Sequence, residues 1–198
     1  MLHRNRLRSV WNRVGSGGIH LAPRQWQTWL SDTGSLTRKL EAAFESRIEV
    51  QVLADRLQTI HSDESRFFHG RTKRCRVREV LLLINQEPVV IARSIIPILT
   101  ASGSNHAILK LGKKPLGAVL FQGHNRNRNR LKAHREITQL DRRHPLWKDG
   151  QRRYPEMPTG AWARRTLYHL KGHPLLVNEV FLTPVSYTHL TLPTTPYV

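Results

Sequence analysis

The chain is poor in cysteine: Cys75 is the single one in 198 residues. That excludes an internal disulfide framework and any zinc site built from several thiolates, and it fits a reducing compartment. Long apolar runs are missing as well. The longest, "PVVIARSIIPIL", is broken by Arg93 and Pro97 and falls far short of the roughly 20 residues that span a bilayer, so no transmembrane helix is expected. The basic start "MLHRNRLRSVWNRVGSGG" has no apolar stretch of the kind a secretory signal needs, which makes the cytoplasm the expected location. Its "GSGG" lacks the lysine and the strand-to-helix context of a phosphate loop and reads as a linker. Eleven histidines are present, but none is paired at metal-binding spacing with a nearby carboxylate, and no Ser/His/Asp pattern stands out. No metal site is expected.

Acidic residues are scarce: 14 Asp and Glu stand against 32 Lys and Arg, a net charge of +18. Such an excess means nucleic acid, an anionic surface or a solvated basic face. Between positions 124 and 173 thirteen Lys/Arg face four Asp/Glu, so half the excess lies in one region, much of it in "HNRNRNRLKAHRE" and "DRRHPLWKDGQRR". That region reads as a basic loop, has few aromatics for base stacking, and resembles no RNA or DNA module, so nucleic acid is not the expected partner.

Apolar material is nonetheless sufficient for a packed core, with 39% hydrophobic residues and five Trp, and the length suits one domain. Positions 25–30 read as a short amphipathic helix, and Ser35 as the start of another that carries Leu36, Leu40 and Phe44 on one face. "RIEVQVLADR" alternates as a strand, and "CRVREVLLLINQEPVVIARSIIP" reads as two strands joined near positions 85–88. After Pro97 the period turns helical, with Gly112 and Pro115 dividing the segment into two short helices. "REITQLD", "AWARRTLYHLKG" and "HPLLVNEVFL" complete six strands, the last two joined by a tight turn at Lys171 and Gly172. Strands in runs, with helices grouped before and between them, predict an α+β fold around a mostly antiparallel sheet.

In the last strand Leu175, Val177, Glu179 and Phe181 share one face, which sets a carboxylate among apolar side chains. An unpaired buried carboxylate costs several kcal/mol or stays protonated, so Glu179 needs a partner. In "RVREVLLLIN" the same alternation sets Arg78 with Val80, Leu82 and Ile84. If both faces point inward, the two charges form either a buried ion pair without ligand or the two poles of a site for an anionic substrate. Arginine would offer its fork to a carboxylate and glutamate an acceptor or a proton.

The order of motifs resembles one family. Chorismate pyruvate-lyases carry an early S-[LM]-T before a helix, a strand with R-E-[VI]-L-L, a helical L-G-x-x-P-L-G-x-x-L-F and a final [KR]-P-L-L-[VL]-x-E-x-F-L-P. Here "SLTRKLE", "VREVLLLINQEPVVIARSIIP", "LGKKPLGAVLF", "WARRTLYHLKG" and "HPLLVNEVFLTP" follow in that order over positions 26–184. The resemblance implies a catalytic domain over 26–184 with a pocket under helical lids, a basic and flexible N-terminal extension over 1–25, and a tail over 185–198. The tail, "VSYTHLTLPTTPYV", resembles translated sequencing-adapter read-through and is expected to be non-native or disordered. It further implies a cofactor-independent carbon-oxygen lyase, expected as a monomer, that converts chorismate to 4-hydroxybenzoate and pyruvate for ubiquinone synthesis. Arg78 would hold the ring carboxylate and Glu179 would meet the ring hydroxyl, these two being the catalytic pair. Leu36 and Leu116 would complete the substrate contacts, and no metal or organic cofactor would be needed. The connection from "HNRNRNRLK" to "EMPTG" is longer and more basic than in compact family members and is expected to lie outside the chemistry. UTRA-type ligand-sensing domains of transcription regulators look similar in architecture but normally follow a winged helix, which is not expected in the 25 positions before Trp26, and with both Arg78 and Glu179 present the enzyme is the expected reading.

Overall fold

The computed structural model of the chain describes residues 11–68, 74–121 and 134–182. The tail at 185–198, the first ten positions and most of the run "HNRNRNRLKAH" lie outside the described residues, as do the expectations that fell on them. Seven strands form one antiparallel sheet, β1 (Asn12–Arg13), β2 (Ile48–Thr59), β3 (Arg74–Ile84), β4 (Glu87–Ile96), β5 (His134–Gln139), β6 (Trp162–Leu170) and β7 (His173–Phe181), in the order β1-β5-β6-β7-β4-β3-β2. Among the described residues five helices accompany it: α1 (Arg24–Leu30), α2 (Leu36–Phe44), α3 (Ser62–Ser65), α4 (Gly117–Leu120) and α5 (Pro145–Arg153). Shorter 3-10 turns fill some of the connections, the longest at Gly103–Lys110.

The six expected strands are present, and the α+β architecture is as the pattern predicts. The seventh, β1, is two residues long and pairs with β5 through Asn12 and Ile137. It falls in the extension expected to be flexible, and a strand of two residues is below the reach of any periodicity. A second difference concerns the basic connection read as a loop: it contains α5. His144 caps that helix by accepting the Leu146 N–H at 3.0 Å, and Pro145 opens it where a missing N–H is harmless.

The hairpin between β3 and β4 turns through Asn85 and Gln86, both at positive φ (49° and 69°), the geometry of a two-residue turn that matches strand twist. Strand alternation then assigns each face of the sheet. One face carries Val80, Leu82, Val90 and Phe181 against Trp26, Leu30, Leu36 and Leu40 of α1 and α2. Further along that face Ile96, Tyr168, Leu175 and Val177 pack on Ile108, Leu120 and Phe121. The opposite face packs Leu81, Ile91, Ala163 and Val180 against Leu146 and Trp147 of α5. It also buries an ionic network in which Arg93 donates to Glu64 at 3.0 Å and to Glu79 at 2.7 Å, while Arg165 donates to Glu136 at 2.7 Å and Asp63 at 2.8 Å.

Candidate active site

Between the two apolar clusters on the helix-covered face lies a small cavity. Its floor is sheet: Arg78, Val80 and Leu82 of β3, Ala92 and Ser94 of β4, Val177 and Glu179 of β7, and Tyr168 of β6. Its roof is the start of α2, with Ser35, Leu36 and Thr37, and the segment from Pro115 to Phe121 that includes α4. All four residues singled out in the sequence, Leu36, Arg78, Leu116 and Glu179, line this one cavity. Its free volume is about 50 Å³.

Local chemistry places each wall. Ser35 caps α2 by accepting the Arg38 N–H, which fixes where Leu36 begins the helix. The roof's two halves meet at Gly117, where a Cβ would come within 2.8 Å of Ser35 Oγ. Glycine there lets α4 close on α2 and brings Leu116 up to Leu36.

Arg78 is buried, and register sets it opposite Asp55 on the neighbouring strand. Its Nη1 donates to Asp55 Oδ2 at 3.3 Å, and its Nη2 donates to the carbonyls of Gly112 at 2.8 Å and Lys114 at 3.2 Å. The guanidinium therefore ties the turn before α4 to the sheet as well as facing the cavity. Burial pulls its pKa below the ordinary arginine value while Asp55 pulls it back up. An arginine so placed is cationic at neutral pH.

Glu179 does not pair with Arg78. Ala92 and Ser94 of β4 lie between their strands, and the partner of Glu179 is Arg164, directly across from it on β6. Arg164 Nε donates to Glu179 Oε2, and its Nη1 donates to the carbonyls of Trp29 at 2.7 Å and Asp32 at 3.2 Å. The Arg164 side chain is fully buried; burial lowers its pKa, and the adjoining Glu179 carboxylate more than reverses that, so the net direction is up. This arrangement settles the question left open by the sequence: the carboxylate in an apolar strand has a dedicated cation behind it. The carboxylate is held in a fixed orientation while Arg78 remains directed at the cavity from the other side.

The signal for Arg164 was present in "AWARRTLYHL". Two adjacent arginines in a strand must occupy opposite faces, and Arg164 and Arg165 do so, one beside Glu179 and one in the network with Glu136. Three further polar side chains stand on the Glu179 face: Arg135, Thr166, whose Oγ1 accepts from Arg135 Nε at 3.3 Å, and Tyr168, edge-on to Phe121 with centroids 5.8 Å apart. Burial and the nearby Glu179 charge both raise the Tyr168 pKa, so its phenol is neutral at physiological pH. Among the described residues no group of three or more His, Cys, Asp or Glu could hold a metal ion. Chemically, the cavity offers a cation, an oriented carboxylate, and an apolar floor and roof between them, an arrangement suited to a planar ring that carries an anionic group and a hydroxyl.

The family model described as chorismate lyase matches residues 7–192. A protein of Thiobacillus denitrificans named "Probable chorismate pyruvate-lyase" is 35% identical over 161 residues, 81% of this chain and 84% of its own length. One of Aromatoleum aromaticum with the same name is 38% identical over 175 residues, 87% of this chain and 90% of its own. Among solved structures, the ligand-binding domain of a GntR-family regulator from Bordetella bronchiseptica superposes with a TM-score of 0.49 at 17% identity, over 70% of this chain and 84% of that one.

Proposed function

The chain belongs to the chorismate lyase family, and on that footing we propose that it converts chorismate to 4-hydroxybenzoate and pyruvate, the entry step of ubiquinone synthesis. The observation that carries this reading is that Arg78 and Glu179, each with its own structural partner, line one cavity with an apolar floor between their strands. The guanidinium of Arg78 takes the ring carboxylate, and the Glu179 carboxylate accepts from the ring hydroxyl that becomes the phenol. Leu36 and Leu116 hold the ring from above.

The chemistry balances without a metal or organic cofactor. The ether C–O bond breaks with its electron pair leaving on the enolpyruvyl oxygen, and the ring gives up the proton on the carbon that bears the hydroxyl, so that it becomes aromatic. The released enolpyruvate takes a proton on carbon to become pyruvate. Aromatisation supplies the driving force, so positioning and one oriented acceptor suffice. Because the free volume is about 50 Å³, a ring can enter only if a wall yields. The roof from Gly112 to Phe121 is the wall to move, since side-chain and turn contacts hold it where ladder hydrogen bonds hold the floor. We take the enzyme to act as a cytoplasmic monomer.

Incubating the purified chain with chorismate tests the reading. Equal amounts of 4-hydroxybenzoate and pyruvate are expected, and no product above the uncatalysed background would overturn it.

A further inference from the structure

Single exposed aliphatic side chains are ordinary, but two adjacent ones at the apex of an anchored turn call for a partner. Ile98 is 60% exposed and Leu99 75%. They follow Pro97 in the turn that leaves β4. The turn is well fixed: the Thr100 and Ala101 N–H groups both donate to Pro97 O, Thr100 Oγ1 donates to Pro174 O at 2.7 Å, and Thr100 and Ala101 are buried. The fold thus turns Thr100 and Ala101 inward and holds Ile98 and Leu99 out in water.

The exposed charges on either side of the turn are cationic. The Thr100 bond sets the turn beside the β6–β7 turn, where Lys171 and His173 are exposed. Asn105 reinforces the contact by donating to Leu170 O at 3.1 Å. On the other side Arg76 pairs with Ile96, so exposed Arg74, two residues earlier on β3, falls level with position 98. No Asp or Glu occurs at positions 74–78, 88–121 or 157–178, which carry the start of β3, β4 with its following turn, and the β6–β7 hairpin; the carboxylates that β2 and α3 bring to this end, Asp55 and Asp63, are engaged by Arg76 and Arg165.

From this juxtaposition we infer that this end of the sheet docks on an anionic bilayer surface, with Ile98 and Leu99 entering the headgroup region. Anionic headgroups meet Arg74 and Lys171, and the interfacial hydrocarbon takes the aliphatic pair. Duplex nucleic acid would use the charge but leave the pair in water, and a stable protein interface needs a far wider apolar patch than two side chains. Along the chain the docking turn leads through Gly103–Lys110 into the segment from Pro115 to Phe121 that roofs the cavity over Arg78.

Pelleting of the full chain with vesicles tests this, using phosphatidylcholine with and without phosphatidylglycerol. Binding to the anionic vesicles is expected, weakened by salt. The double variant Ile98→Ser/Leu99→Ser should lower it on the order of tenfold, with melting temperature and chorismate turnover unchanged. Three results would each overturn the inference: no binding to anionic vesicles, binding indifferent to the serine pair, or tight binding of a DNA duplex with none to vesicles. None of these bears on the lyase reading, which turnover measures separately.

Discussion

Replacing Arg164 by leucine removes the cation that faces Glu179 and leaves a buried carboxylate without a partner. Breaking one side of a buried pair costs about 3–5 kcal/mol, because the remaining charge is uncompensated. The carbonyls of Trp29 and Asp32 also lose their donor, which sets the expectation at the upper end of that range. For a domain of this size each kcal/mol corresponds to roughly 2–4 °C in Tm, so Arg164→Leu should melt some 10–20 °C earlier. The companion variant Arg164→Leu/Glu179→Leu replaces both charges with apolar groups, which is often near neutral. It should recover most of the loss while remaining inactive. Thermal melts of the wild type and the two variants, followed by circular dichroism, measure both effects. A single variant within about 1 kcal/mol of wild type, or a double variant no more stable than the single, would refute the argument that Arg164 compensates Glu179.

On the opposite face, Arg93→Met takes the buried cation away from Glu64 and Glu79, leaving Glu64 with Asn178 and the His61 N–H and Glu79 with Arg153, and should cost several kcal/mol in denaturant unfolding, while kcat per folded molecule stays within a few fold, since Arg93 faces away from the cavity. His61 Nε2 donates to Asp149 Oδ2 at 2.8 Å; burial lowers its pKa, but the Asp149 bond and the Glu64 charge outweigh that and raise it. The stability it contributes is therefore fully present below the unfolded value near 6.5 and is lost as pH rises through the higher folded value; melts across this window should show a decline that Asp149→Asn abolishes. Gly117→Ala places a Cβ within 2.8 Å of Ser35 Oγ, so the roof must shift and KM for chorismate should rise severalfold with little change in Tm; an unchanged KM would separate the roof from binding.

Much of this architecture was readable because strand alternation is local. The period of two assigned Glu179 and Arg78 to apolar faces and Ser35 gave the start of α2, while Leu36 and Leu116 as cavity walls came from the resemblance to chorismate pyruvate-lyases. The partner of Glu179 was not readable from alternation alone, because a face does not name a neighbour. β7 lies between β4 and β6, and β3, which carries Arg78, is two strands away. Helix α5 escaped because its buried positions, Leu146, Trp147 and Gly150, are few in an otherwise polar stretch. On the opposite face Glu79, Arg93, Arg165 and Asn178 interrupt the apolar pattern, yet all four are buried and held by one another and by Glu64 and Glu136, a network of partners that strand alternation does not name.

The central claim is that Arg78 and Glu179 act on one substrate in one cavity, the first by binding and the second by chemistry. The most direct measurement is steady-state turnover of chorismate alongside calorimetric binding of 4-hydroxybenzoate for Arg78→Ala and Glu179→Gln. The account predicts that Arg78→Ala weakens both KM and product affinity, since the ring carboxylate is common to substrate and product, whereas Glu179→Gln lowers kcat far more than it lowers affinity. A folded Glu179→Gln variant with near wild-type kcat would contradict it and leave Glu179 as the structural counterion of Arg164.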